Sequence, residues 1–136
     1  MKDVQLLIDI GNSSIVSAEY FSGESKSCDN VFKFSNRKNS ETKNYRKFLK
    51  ECAFEIYESI VVSSVVPEID EELRKIINIK FVNYKTIPEI KINLKKPEEV
   101  GADRLVNAIA VAKLYRGNCL VIDSGTAVTF CVVDKE

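Results

Sequence analysis

Apolar and polar positions alternate at the start of the chain in the rhythm of strands. Val4 to Asp9 reads as a buried strand and Ser14 to Phe21 as its partner, with Gly11-Asn12 supplying the turn. Gly23-Glu24 offers a second turn into a third strand at Val31-Phe32-Lys33-Phe34, and the polar stretch Ser35 to Lys43 reads as a loop. From Asn44 to Phe54 the period changes. Tyr45, Phe48, Leu49 and Cys52 fall at i, i+3, i+4 and i+7, the stripe of an amphipathic helix.

Ile60-Val61-Val62-Ser63-Ser64 is a short apolar strand ending in small residues. Pro67 opens a helix expected to run through Ile77, with Glu68, Asp70, Glu71 and Glu72 near the positive end of its dipole. Ile79 to Val82 is another strand. Ile87 to Leu94 reads as extended, with Ile90, Ile92 and Leu94 alternating with charge or amide, and Pro97 marks a turn. Gly101 to Tyr115 is the strongest helix. Leu105, Ala108, Ile109 and Ala112 form one stripe, and Val106, Ala110, Val111 and Leu114 add apolar surface elsewhere, which predicts a helix that is buried or lies at an interface. Gly117-Asn118 ends it. The resulting order, β β β α β α β (β) α β β, predicts an α/β layer architecture with an antiparallel start and parallel additions.

One device occurs twice. Ile8-Asp9-Ile10-Gly11-Asn12-Ser13 and Ile122-Asp123-Ser124-Gly125-Thr126-Ala127 each follow an apolar run and precede another alternating run, 114 positions apart. A carboxylate at a strand end beside a Gly turn can hold a cation while backbone N–H groups take phosphate oxygens. Either loop alone is also ordinary hairpin chemistry. Two copies point more strongly to a clamp on a nucleotide phosphate chain. The repeat also predicts a domain over residues 1–117 and the opening strands of a second, similar domain over 118–136.

Gly101-Ala102-Asp103-Arg104 opens the apolar helix. Asp at a helix start is usually a cap. Here Arg104 follows at once, a cation suited to phosphate or carboxylate. Asn107 lies four residues on, on the same helical face. Asp103 is therefore a candidate base for a substrate hydroxyl, with Arg104 holding the substrate or the transferring phosphoryl group.

Composition narrows the chemistry. The 136 residues fit one ordinary domain, 45% apolar and 29% charged. Twenty basic and twenty acidic residues cancel, so charge offers no case for nucleic acid or an anionic membrane, and Lys33 to Lys50, locally basic but mixed, reads as a solvated face. There is no histidine, which excludes Ser-His-Asp and Cys-His catalysis and His-ligated metals. Cys28, Cys52, Cys119 and Cys131 show no metal spacing. Cys52, Cys119 and Cys131 are expected as reduced, buried thiols of a cytoplasmic protein. No signal peptide is visible, and no apolar run approaches the roughly 20 residues of a membrane helix. The tyrosines and phenylalanines form no basic–aromatic pattern and read as packing.

Asp9-x-Gly-Asn-Ser, Gly101-Ala102-Asp103-Arg104-Leu-Val-Asn107-Ala and Asp123-x-Gly125-Thr126-Ala127 together resemble the three ordered motifs of type III pantothenate kinases, a family of the actin-like ATPase superfamily. The resemblance implies a ribonuclease H-like domain with a mixed sheet and flanking helices, plus the first hairpin of a second such domain. It implies ATP-dependent phosphorylation of pantothenate, the first step of coenzyme A synthesis. By it, Asp103 is the general base, and Gly101, Ala102, Asp103 and Arg104 line the pantothenate site. Asp9, Ile10, Gly11, Asn12, Ser13, Ser14, Ile15 and Val16 form the ATP phosphate loop. Thr126 contacts ATP, Asp123 binds a monovalent cation (K⁺ or NH₄⁺), and Asp9 orders Mg²⁺ through water. The family is a homodimer, and no nucleic-acid or membrane partner is implied.

Some positions depart from the pattern. Leu94 stands where the family commonly has a substrate-contacting tyrosine. Thr129-Phe130-Cys131 replaces the usual Thr-x-Asp, and Ser13 replaces the commoner Thr. The family runs to roughly twice this length, as a two-domain chain would, so the 136 residues by themselves are expected to turn over little or nothing. Two other readings remain: another small-molecule kinase of the superfamily, and a non-catalytic paralogue acting as a binding or regulatory protein.

Overall fold

The computed structural model describes residues 4–23, 26–35, 48, 50–75 and 79–135. Its contacts divide the chain into two compact units, Met1–Phe81 and Val82–Glu136.

The first unit is a five-stranded mixed sheet with spatial order β3-β2-β1-β4-β5. Strands β1 (Val4–Ile10) and β2 (Ser14–Phe21) pair antiparallel, Ile10 opposite Ile15 and Asp9 opposite Val16. Strand β3 (Ser27–Ser35) continues that meander, and it begins earlier than its apolar run suggests. The β2–β3 register shifts between Ser17 and Glu19, and Asn30 adopts φ 49° there, a left-handed conformation that asparagine tolerates. Strand β4 (Ser59–Ser64) lies parallel on the other side of β1, and β5 (Ile79–Phe81) lies parallel to β4.

Alternation decides which face is core. Leu6, Ile8 and Ile10 of β1 point the same way as Ile60 and Val62 of β4, their neighbours in register, and all are buried. Ile15, Phe48, Phe54, Ile69 and Leu73 complete this core. Each such fully buried side chain stabilises the fold by roughly 1.5–3 kcal/mol. Phe48 lies between Phe34 and Phe54, with ring centroids at 5.2 and 6.1 Å.

Helix α1 (Pro67–Leu73) is shorter than the helix expected to Ile77. Arg74 and Lys75 turn instead, Lys75 N–H donating to the Glu72 carbonyl three residues back, and Ile77 lies outside the described residues. Of the amphipathic stretch Asn44 to Phe54, residues 44–47 and 49 also lie outside them. Phe48, Lys50 and Glu51 are helical, and a short 3₁₀ turn follows at Phe54–Ile56.

In the second unit, α2 (Ala102–Leu114) packs against a two-stranded antiparallel sheet of β6 (Cys119–Ser124) and β7 (Val128–Val133). Gly117, at φ 95°, supplies the left-handed turn between them. The helix buries the stripe Ala102, Leu105 and Ala108 within the chain, while Val106 and Leu114 are exposed. No strand forms over Ile87 to Leu94. Pro88 removes a ladder donor there, and the backbone closes into turns through Thr86 N–H to the Asn83 carbonyl (3.0 Å) and Ile90 N–H to the Ile87 carbonyl (3.3 Å). Cys52, Cys119 and Cys131 are free but half-buried rather than buried, and Cys28 is exposed.

No helix among the described residues is long and apolar enough to cross a membrane.

Candidate functional site

The first loop is built by strand pairing. Asp9 is the next-to-last residue of β1, on the face opposite the core, and it is exposed. The chain turns through Gly11, Asn12 and Ser13, and the Gly11 N–H donates back to the Ser14 carbonyl at 2.9 Å. That donor closes the loop and is not the group that meets a ligand. Gly11 has no positive φ, and a Cβ placed on it would meet the Ser14 carbonyl oxygen at an ordinary 3.5 Å. Neither backbone conformation nor packing within the loop demands glycine there.

The second loop repeats the construction. Asp123 is the next-to-last residue of β6, half-buried, opposite Thr129. Gly125 N–H donates back to the Ala127 carbonyl at 3.1 Å. Gly125 also lacks a positive φ, and nothing stands within 4 Å of a Cβ built on it. The two loops differ by one residue: 11–14 lie inside the closing pair Ile10–Ile15, and 125–127 inside Ser124–Val128. Thr126 is exposed at the second tip.

Asp103 occupies the first turn of α2. Gly101 precedes the helix in extended conformation and makes no side-chain cap, and its carbonyl accepts the Leu105 N–H at 3.2 Å. Asp103 supplies the cap that Gly101 cannot: its Oδ1 accepts the Arg104 N–H at 2.8 Å. Asp103 is half-buried, Arg104 is exposed, and Asn107 is half-buried one turn further on. The geometry holds one carboxylate oxygen of Asp103 against the Arg104 N–H, next in sequence to an exposed arginine. That arrangement can receive a proton from a bound hydroxyl and neutralise a nearby anion.

Among the described residues no three His, Cys, Asp or Glu side chains gather as a metal cage. Single carboxylates such as Asp9 fit Mg²⁺ in the way that ion is usually held, by one or two carboxylates with waters and substrate phosphates filling the octahedron.

One neighbour of this site carried no signal of its own in the sequence. Ser63 lies opposite Asp9 in the parallel β1–β4 register, yet it reads in the sequence only as one of two small residues at a strand end.

Residues 5–136 match the type III pantothenate kinase family. The chain belongs to that family. It is 33% identical to the type III pantothenate kinase of Shouchella clausii over 145 aligned positions, covering 98% of this chain and 56% of the relative. It is 35% identical to that of Brevibacillus brevis and 32% identical to that of an Exiguobacterium species, covering 96% of this chain and 55% of each relative. The chain thus spans about half the length of these relatives. The mixed five-stranded sheet with flanking helix is consistent with the actin-like ATPase fold expected of a type III pantothenate kinase. Of the positions that depart from the kinase motifs, Leu94 is exposed in the turn-rich stretch before α2, and Cys131 is half-buried on β7.

Proposed function

We propose that the protein carrying this chain transfers the γ-phosphoryl group of ATP to pantothenate. Membership of the type III pantothenate kinase family carries the reading. The hydrogen bond that Asp103 accepts in the first turn of α2 supports it, because a base must be held in one direction to take a hydroxyl proton as the oxygen attacks. Asp103 takes that proton, and Gly101 to Arg104 hold pantothenate, Arg104 meeting negative charge.

Residues Asp9 to Val16 receive the ATP phosphates, and Thr126 makes a further ATP contact. The glycines support this division of labour, since Gly11 and Gly125 leave open a close approach that their own chain does not use. Asp9 holds Mg²⁺ through water, and Asp123 holds K⁺ or NH₄⁺. When bound, these cations neutralise charge building on the transferring phosphoryl oxygens. The protein acts as a cytoplasmic homodimer, and β6 and β7 open a second ribonuclease H-like domain whose boundary falls near residue 117.

The deciding experiment is a coupled assay of ADP release by the complete gene product. ATP- and pantothenate-dependent turnover is the expected result. Turnover with a different hydroxyl acceptor and none with pantothenate overturns the substrate. A non-catalytic relative is the reading favoured by Leu94 and Thr129-Phe130-Cys131, and failure to bind one of the two substrates in calorimetry would establish it.

A further inference from the structure

Ser63 sits in an unusual position for a hydroxyl. The preceding residues of β4, Ile60, Val61 and Val62, are apolar and β-branched, and an apolar residue would continue the run. Ser63 is only 7% exposed. Its Oγ and Asp70 Oδ1 are the two buried side-chain polar atoms without a hydrogen-bond partner among the described residues. An unsatisfied buried hydroxyl costs about 1–3 kcal/mol. Such a group calls for an explanation in function or in an absent partner.

Local structure does not supply one. The neighbouring Ser64 is engaged, its Oγ accepting the Val66 N–H at 3.1 Å at the start of α1. The backbone beyond is held separately, Val65 N–H donating to the Ile10 carbonyl at 3.0 Å. Ser63 contributes to neither bond.

Register supplies the explanation. Ser63 stands opposite Asp9, and in a parallel pair opposite residues point to the same face. On this face the row across three strands is Val16, Asp9, Ser63. Val16 offers no hydrogen bond. Neighbouring strands lie about 4.8 Å apart, so a serine hydroxyl and a carboxylate in this relation can close to about 2.7 Å by side-chain rotation. A carboxylate has two oxygens, and one can face an ion while the other accepts a hydrogen bond.

We infer that Ser63 is a positioning residue for Asp9: its hydroxyl donates to one Asp9 oxygen and turns the other toward the hydrated Mg²⁺ of the bound nucleotide. The inference rests on the reading of residues 9–16 as the ATP phosphate loop. It adds a strand, β4, to the elements that build that site. Donation to Asp9 would offset the cost of leaving that buried hydroxyl without a partner.

The test is calorimetric titration of the complete gene product with ATP, in Mg²⁺ and again in excess EDTA, for the wild type, Ser63→Ala and Ser63→Thr. Loss of a partner hydrogen-bonded to a metal-binding carboxylate commonly costs about tenfold or more in affinity. Ser63→Ala is expected to weaken binding about tenfold with Mg²⁺ and to leave binding in EDTA unchanged, with a melting temperature equal to or above wild type. Ser63→Thr keeps the hydroxyl and restores the Mg²⁺-dependent part. Equal affinity of the wild type and Ser63→Ala in Mg²⁺ overturns the inference alone. Equal losses with and without Mg²⁺, accompanied by a lower melting temperature, overturn it in favour of a packing role. A wild type that binds no ATP overturns the phosphate-loop reading itself, and this inference with it.

Discussion

Tyr57 donates its phenolic hydroxyl to Glu19 Oε1 over 2.8 Å, while Asn30 donates to the other oxygen, Oε2, over 2.7 Å. The carboxylate of β2 thus ties the shifted β2–β3 register to the segment leading into β4. Burial first, then the hydrogen bond and charge of Glu19, raises the Tyr57 phenol above its ordinary value. Burial, then the Glu55 and Glu19 carboxylates, pushes the nearby Cys52 thiol up to about 11. Both groups hold their protons more tightly folded than unfolded. Their contribution is complete below about pH 8.5 and is lost as pH climbs through the raised values. Urea midpoints measured at rising pH should therefore fall in the alkaline range, and the double variant Cys52→Ala/Tyr57→Phe should flatten that fall. Tyr57→Phe alone should cost about 1 kcal/mol at neutral pH, a hydrogen bond to a carboxylate discounted for partial exposure.

In the complete gene product, Asp103→Asn should lower the proposed phosphorylation of pantothenate by roughly 10² to 10⁴, the usual worth of a positioned base. Asn keeps an oxygen to accept the Arg104 N–H, so circular dichroism and ATP affinity should stay near wild type. Wild-type turnover in this variant would remove Asp103 from the mechanism.

Gly11→Ala separates a loop that needs glycine from a ligand that needs the space. With no positive φ and an ordinary contact at 3.5 Å, the fold should accept alanine. Stability should hold or rise by about 0.4–1 kcal/mol. ATP affinity should nevertheless drop tenfold or more, about 1.4 kcal/mol per factor of ten. Thermal melts and calorimetry on the same sample distinguish the two effects. A melting temperature well below wild type would show that the loop itself requires glycine.

The outer face of the β6–β7 hairpin carries Leu120, Ile122, Val128, Phe130 and Val132, each between 57% and 74% exposed. Leu120 stands opposite Val132, and Ile122 opposite Phe130, so the patch is contiguous. Isolated as this chain, the hairpin should associate with rising concentration. Phe130→Lys should shift sedimentation profiles toward monomer without disturbing the half-buried face that holds Asp123. An unchanged profile would show that the patch does not drive association.

The sheet was readable where periodicity and position agreed. The runs around Leu6, Ile60 and Val62 showed their burial, and the repeat of Asp9-x-Gly11 and Asp123-x-Gly125 marked the two loops before any geometry. Short-range patterning misled where a single residue overruled it: Pro88 broke the alternation through Ile90, Ile92 and Leu94. For helix α2, sequence counts apolar residues without knowing which neighbours exist to cover them, so it does not distinguish a helix buried in its own chain from one at an interface. Ser63 was illegible for another reason. Its meaning lies in a partner across a parallel pairing, and no local pattern records which residue stands opposite.

That parallel pairing also bears on how the chain acquires its fold. The β1–β2 hairpin closes through near neighbours in sequence, an event of microseconds. The β1–β4 pairing waits for a crossover that brings Ser63 back beside Asp9, a non-local step of the kind that slows folding. The turn bearing Asp9 is accordingly an early product and its setting a late one. Mutations in β4 should register in refolding rates as well as in ligand affinity.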